Sequence, residues 1–145
     1  MNIRSGPTPT TSINMFAEVR EIPIAINRLI EKSETTIIEV ANELSSVDPL
    51  IIATNARGSS DHAAAYLKHA IELSTGIPVA SMGPSVVSIY GGKIRLKNAA
   101  SISISQSGKS PDIVQMTEAV GKGGALTMAI TNISNSPLKK VTETV

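Results

Sequence analysis

A chain of 145 residues with 41% apolar and 17% charged residues fits one globular domain, because domains most often run about 100–150 residues. A net charge of +1, with no run of Lys and Arg, excludes the field that draws nucleic acid or an anionic membrane, so any anion must be bound locally. The absence of cysteine removes disulfides, thiolate nucleophiles and cysteine zinc ligands together. With His62 and His69 as the two histidines, neither a transition metal nor another cofactor is expected.

Residues 1–12 carry Pro, Gly, Ser and Thr without periodicity and read as a flexible arm. Residues 13–47 read as a helical lead-in. Met15, Val19 and Ile22 recur at helical spacing, as do Ile26, Leu29 and Ile30 after Pro23, which predicts a helix that bends or restarts at that proline. Ile37, Ala41 and Leu44 mark another helix, ending near the breaker Ser45-Ser46-Val47-Asp48-Pro49.

From residue 48 to 145 short apolar runs alternate with Gly/Ser turns and amphipathic stretches, the βαβ pattern of a parallel sheet. Strands are predicted at Leu50–Thr54, Pro78–Ser81, Ala99–Ser105 and Ala125–Thr131. The first is followed by a helix with Ala63, Tyr66, Leu67, Ala70 and Ile71 inward, stopped by Gly76. The second leads into a helical turn or two at Ser85–Tyr90. The third leads into a helix with Ser110 as N-cap and Pro111 at its first position, closed by Gly121 and Gly123-Gly124. Ser136–Val141 reads as a short helix. The fold class is therefore α/β, a three-layer αβα sandwich on a doubly wound parallel sheet of order 2-1-3-4. A fourth strand left as an open edge suggests that a final strand is missing and that the domain is truncated at its C-terminal end. No apolar stretch approaches ~18 residues and no signal-like start is present, so a soluble cytoplasmic protein without membrane contact is expected.

Two strand-to-helix turns share one chemistry: Arg57-Gly58-Ser59-Ser60, and Ser105-Gln106-Ser107-Gly108-Lys109-Ser110. In order 2-1-3-4 the first and third strands are neighbours whose helices leave on opposite faces, so the crevice lies between these turns. Each offers a helix N-terminus with free N–H groups, glycine for close approach and small hydroxyls, which together make an anion site without a cluster of full charges. A single GSS turn is an ordinary helix start. Two such turns flanking one switch point predict a pocket, with phosphate the natural occupant. Lys109 adds a charge beside the phosphate or is simply solvated; Arg57 faces the ligand, braces Asp61 or lies in water. Asp112 is accounted for by the helix macrodipole.

The segments Ala56-Arg57-Gly58-Ser59-Ser60 and Ser103-Ile104-Ser105-Gln106-Ser107-Gly108-Lys109-Ser110-Pro111-Asp112 resemble the two phosphate loops of the sugar isomerase (SIS) domain family. The likeness is greatest to the first SIS domain in the isomerase half of glucosamine-6-phosphate synthase and to the related deaminases. It extends upstream to Met15–Pro23 and downstream to Ala129–Asn132 and Ser136-Pro137-Leu138. It implies that Ser60, Ser105, Gln106, Ser107 and Ser110 contact a sugar phosphate with Ser59 close by, Gly58 and Gly108 shaping the loops. The family usually has an acidic residue where Lys109 stands and often a threonine where Ser110 stands. Its catalytic glutamate, histidine and lysine come from segments after the fourth strand and have no counterpart here, so no catalytic residue is assigned.

The resemblance thus implies a phosphosugar-binding domain of an aminohexose-6-phosphate isomerase or deaminase that interconverts glucosamine 6-phosphate and fructose 6-phosphate. On this reading the chain holds a phosphorylated aminohexose, supplies no acid or base, is inactive alone, and pairs as a homodimer. Two other readings stand beside it: a phosphosugar-sensing SIS module of a transcription regulator, and a single-domain phosphosugar isomerase. Against DNA binding, residues 13–47 set Arg20, Arg28 and Lys32 against Glu18, Glu21, Glu31 and Glu34 and contain no compact basic recognition helix.

Overall fold

The computed structural model describes residues 11–143, with side chains from residue 15 onward. Residues 1–10 of the expected arm lie outside the described residues. The elements are α1 (Thr11–Val47), β1 (Ile51–Ala56), α2 (Ser59–Thr75), β2 (Val79–Ser81), α3 (Ser85–Ser88), β3 (Ala99–Ile104), α4 (Pro111–Lys122), β4 (Leu126–Ile130) and a 3-10 turn at Lys139–Val141. The chain divides into two units, Met1–Ile37 and Ile38–Val145, with the division inside α1.

In the first unit α1 runs without interruption through Pro23, where the sequence predicts a bend or restart. A proline in a helix interior costs roughly 3 kcal/mol, but good helix formers flank it on both sides (Ala17, Glu18 and Glu21; Ala25, Arg28 and Leu29). Arg20 stacks its guanidinium 4.4 Å from the Phe16 ring centroid, and Arg28 pairs with Glu21.

In the second unit the helix ends where Asp48 turns to φ 44° and its N–H bonds the Leu44 carbonyl, so the expected breaker acts at its fourth residue. The four strands are parallel in the order β2-β1-β3-β4, as the sequence predicts. Strand periodicity sorts the faces. Ile52, Ala56, Ala100, Ile102, Ile104, Leu126 and Met128 pack with Ala64, Leu67 and Ile71 of α2 and with Val40 and Leu44 of α1. On the other face Ala99 and Ala125 pack with Met116 and Val120 of α4, and Ile113 packs with Ala129 and Leu138. Helices on both faces make this the αβα sandwich, with β1 and β3 central.

The inner face of α2 differs from expectation. Ala64, Leu67 and Ile71 point inward, whereas Ala63, Tyr66 and Ala70 are exposed. The run Ala63-Ala64-Ala65 gives no phase of its own, so Leu67 and Ile71 set the rotation. Lys68 and Glu72 hold it: Lys68 Nζ donates to the Val79 carbonyl at 2.6 Å, and the Val79 N–H donates to Glu72 at 3.0 Å. These two side chains thereby satisfy both backbone polar groups of Val79 on the edge strand β2. The β4 edge is not bare at Thr127, whose N–H donates to the Glu143 carboxylate at 3.3 Å and whose carbonyl accepts from Glu143 N–H at 3.1 Å. Among the described residues no helix is long and apolar enough to cross a membrane.

Candidate functional site

The register pairs Ala56 of β1 with Ile104 of β3, so the chain leaves both strands side by side. The two turns diverge from there, one into α2 on one face and the other into α4 on the opposite face. Between them lies a cleft of about 230 Å³. Its walls are Arg57, Gly58, Ser59 and Ser60 from the first turn and Ser105, Gln106, Ser107 and Ser110 from the second, with Ile104 and Ile113 between. Seven of the eight residues singled out in the sequence therefore share one cleft. The eighth, Gly108, lies behind it.

The first turn works through backbone geometry. Gly58 takes φ 60° and ψ −132°, a combination open to glycine and hardly to any L-residue. This brings Ser59 and Ser60 in as the opening residues of α2, where N–H groups have no intrahelical partner. At α4, Ser110 is the N-cap in extended conformation, yet its hydroxyl makes no capping bond, and Pro111 follows at the first helical position. The Ser110 Oγ is thus free of a capping bond where it lines the cleft.

The second turn is braced from behind by the last residue of β4 and the segment that follows it. Ser105 N–H donates to the Ile130 carbonyl at 3.1 Å, Asn132 N–H to Gln106 at 3.1 Å and Leu138 N–H to Gly108 at 3.0 Å. Thr131 Oγ1 also donates to the Gln106 carbonyl at 3.3 Å. Within the loop, Gly108 N–H reaches the Ser105 hydroxyl at 3.2 Å, and Lys109 N–H reaches Ser107 Oγ at 3.3 Å. Gly108 has φ 59°, and a Cβ there would collide with the side chain of the fully buried Ser136. Ser136 was singled out in the sequence for its place in a resemblance; its work as the back wall of the loop was not.

Beneath the cleft lies a polar network. Asn55 Nδ2 sits 3.2–3.4 Å from Ser103 Oγ, the Ile113 carbonyl and Thr117 Oγ1, so two protons are shared among three acceptors. Thr117 Oγ1 donates to the Ile113 carbonyl at 2.8 Å, which obliges Ser103 to donate in its 2.6 Å contact with Thr117. All three side chains are fully buried. They tie β1, β3 and the first turns of α4 together at the floor of the site. Hydroxyls buried in a strand and a helix 14 residues apart carry no sequence signal beyond their polarity at core positions.

Arg57 braces a carboxylate that the sequence reading did not offer. Its Nη1 is 2.6 Å from Asp112 Oδ2, not on Asp61. Asp112 therefore does more than complement the α4 dipole: it meets a cation from the opposite wall. Lys109 is exposed and does not line the cleft, and His62 and His69 are both exposed away from it. Among the described residues no cluster of His, Cys, Asp and Glu is arranged to hold a metal ion.

No protein-family model matches the chain, and no curated protein does. Solved structures do. A candidate phosphosugar isomerase from Silicibacter pomeroyi DSS-3 superposes with a TM-score of 0.86 at 49% identity over 88% of this chain. The C-terminal domain of glucosamine-fructose-6-phosphate aminotransferase from Francisella tularensis superposes with a TM-score of 0.62 at 25% identity over 72% of the chain. The structural neighbours are phosphosugar isomerases and SIS-domain proteins. Tagatose-6-phosphate ketose/aldose isomerase from Escherichia coli shares the SIS fold at 18% identity, with a TM-score of 0.74 over 94% of the chain. The chain spans 39% of the Silicibacter protein, 29% of the Francisella chain and 39% of the E. coli enzyme.

Proposed function

We propose that residues 48–145 are a phosphosugar-binding SIS domain, the phosphate-holding part of an enzyme that isomerises or deaminates an aminohexose 6-phosphate. Residues 1–12 as an arm and 13–47 as a helical lead-in belong to the same proposal. In this proposal its functional counterpart is the first SIS domain of the isomerase half of glucosamine-6-phosphate synthase.

The observation that carries this reading is the meeting of two helix N-termini and five hydroxyl side chains in one cleft. A phosphate monoester accepts hydrogen bonds on all sides, and N–H groups at the starts of α2 and α4 together with Ser59, Ser60, Ser105, Ser107 and Ser110 donate them. The Gln106 amide adds a donor at the rim. At about 230 Å³ the cleft is smaller than the roughly 300–1,000 Å³ that encloses a drug-sized ligand. It grips the phosphate end and leaves the sugar projecting from the strand ends. Ring opening and proton transfer need an acid or base within hydrogen-bond reach of the substrate, and neither histidine faces the cleft. In this proposal those groups come from outside the 145 residues.

Calorimetry with glucosamine 6-phosphate and fructose 6-phosphate tests the pocket. A hydrogen bond to a charged group contributes about 1.5–3 kcal/mol, so Ser60→Ala and Ser107→Ala should each weaken binding by roughly 10- to 150-fold. Unchanged affinity in both variants sinks the assignment. Homodimerisation is part of the same reading, supported by the exposed Met15, Val19, Ile22, Ile26 and Leu29 of the first unit. Sedimentation that finds monomer alone at high concentration contradicts it.

A further inference from the structure

The ion pair Arg57–Asp112 is not required by a site made of hydroxyls and helix ends. Arg57 belongs to the wall that opens α2, Asp112 to the first turn of α4, and the 2.6 Å contact joins the two walls. The Arg57 side chain is 68% exposed and the Asp112 side chain 17%, so the carboxylate is the member set into the protein. A carboxylate at the N-terminus of α4 draws on the same partial positive charge that a bound phosphate would use. It also draws on Arg57, the single full cation among the described residues that line the cleft.

We infer that Arg57 and Asp112 form a charge-balanced pair that sets how strongly the cleft attracts an anion, with Asp112 an internal counter-ion competing with the phosphate for Arg57 and for α4. The inference rests on the phosphosugar reading of the same cleft. It assigns Asp112 a role in affinity without a contact to the ligand. The balance leaves phosphate recognition to neutral donors, whose strength varies little with ionic strength, so the sugar phosphate is held without a strong pull on every passing anion.

The signs of the effects separate this from a mechanical strap. Asp112→Asn keeps the shape and releases the guanidinium; inorganic phosphate and fructose 6-phosphate should both bind about tenfold tighter at low salt, and the gain should shrink between about 20 and 200 mM salt. Arg57→Gln leaves a carboxylate unpaired beside the phosphate and should weaken both ligands by about the same factor. The double variant restores neutrality and should return to within about threefold of the unmodified chain. Titrations by calorimetry, with thermal melts on each protein, read all four corners. If Asp112→Asn weakens binding as Arg57→Gln does and the double variant is no better than either, the pair is a strap and the inference fails while the pocket stands. If none of the four proteins binds fructose 6-phosphate, the pocket assignment and the inference fall together.

Discussion

Replacing Gly108 by alanine should damage the second turn in a way that can be divided into two parts. The backbone there has φ 59°, and placing a non-glycine residue in the left-handed region costs roughly 1–2 kcal/mol. The new methyl would also collide with Ser136, with Thr131 Oγ1 at 3.0 Å on another side. Overpacking of this kind costs typically 1–3 kcal/mol. The expected loss is therefore about 2–5 kcal/mol in urea unfolding. Gly58→Ala is the collision-free comparison: nothing lies within 4 Å of a built Cβ there, so its cost is that of its own backbone conformation, φ 60° and ψ −132°, with no overpacking part. The collision part has a named partner, and Ser136→Gly removes it. In a Ser136→Gly background Gly108→Ala should cost only about 1–2 kcal/mol, a coupling of about 1 kcal/mol or more in the double-mutant cycle. An identical cost in both backgrounds refutes the claim that Ser136 is the wall behind the loop.

Thr117→Val should cost about 1–3 kcal/mol in the same assay, because it strips the acceptor from the buried donors of Ser103 and Asn55 and a donor from the Ile113 carbonyl; a loss no larger than that of an exposed Thr→Val control contradicts the network. Glu72 tests the anchor between α2 and β2. The hydrogen bond from Val79 N–H, aided by Lys68, holds its carboxyl below the ordinary value of 4.5 against an opposing desolvation. A depressed folded-state pKa stabilises the fold above the unfolded value, and that stability is lost as the pH falls through the folded one. The stability gap between the unmodified chain and Glu72→Gln should thus be constant above about pH 5 and narrow from 4.5 downward, and a gap independent of pH across that range counts against the anchor.

What the sequence disclosed and what it withheld follow from the range of each interaction. Strand order was legible because Ile51–Ala56 and Ala99–Ile104 are short runs of mostly small and apolar residues closed by glycine and serine turns, and parallel βαβ units connect in few ways. The cleft followed from that order, since neighbouring strands with helices on opposite faces leave one place for both turns. The rotation of α2 was not legible: three consecutive alanines carry no hydrophobic phase, and the deciding contacts of Lys68 and Glu72 lie on β2. At Pro23, where the sequence left a bend or a restart open, the helix does not restart, because good helix formers flank the proline on both sides. The Arg57–Asp112 pair joins residues 55 apart, and no local pattern announces such a partner.

The polar core and the cleft are one construction. On the α4 face of β3, Ser101, Ser103 and Ser105 follow one another at alternate positions, all buried. Thr54 Oγ1, Asn55 Oδ1 and Ser101 Oγ have no hydrogen-bond partner, and each such group destabilises a fold by about 1–3 kcal/mol. An apolar side chain at position 55 would not fix the Ile113 carbonyl, which receives both Asn55 and Thr117 and sits three residues beyond the Ser110 cap. Apolar contacts resist sliding weakly, whereas directional hydrogen bonds specify the position of α4 along β1 and β3. Because Ser110 and Asp112 ride on that helix while Arg57 and Ser60 ride on the chain leaving β1, the separation of the two walls is set at Asn55. Asn55 therefore carries both sides of the construction: its Oδ1 is left without a partner, while its Nδ2 fixes α4 against the strands from which the two serine turns leave.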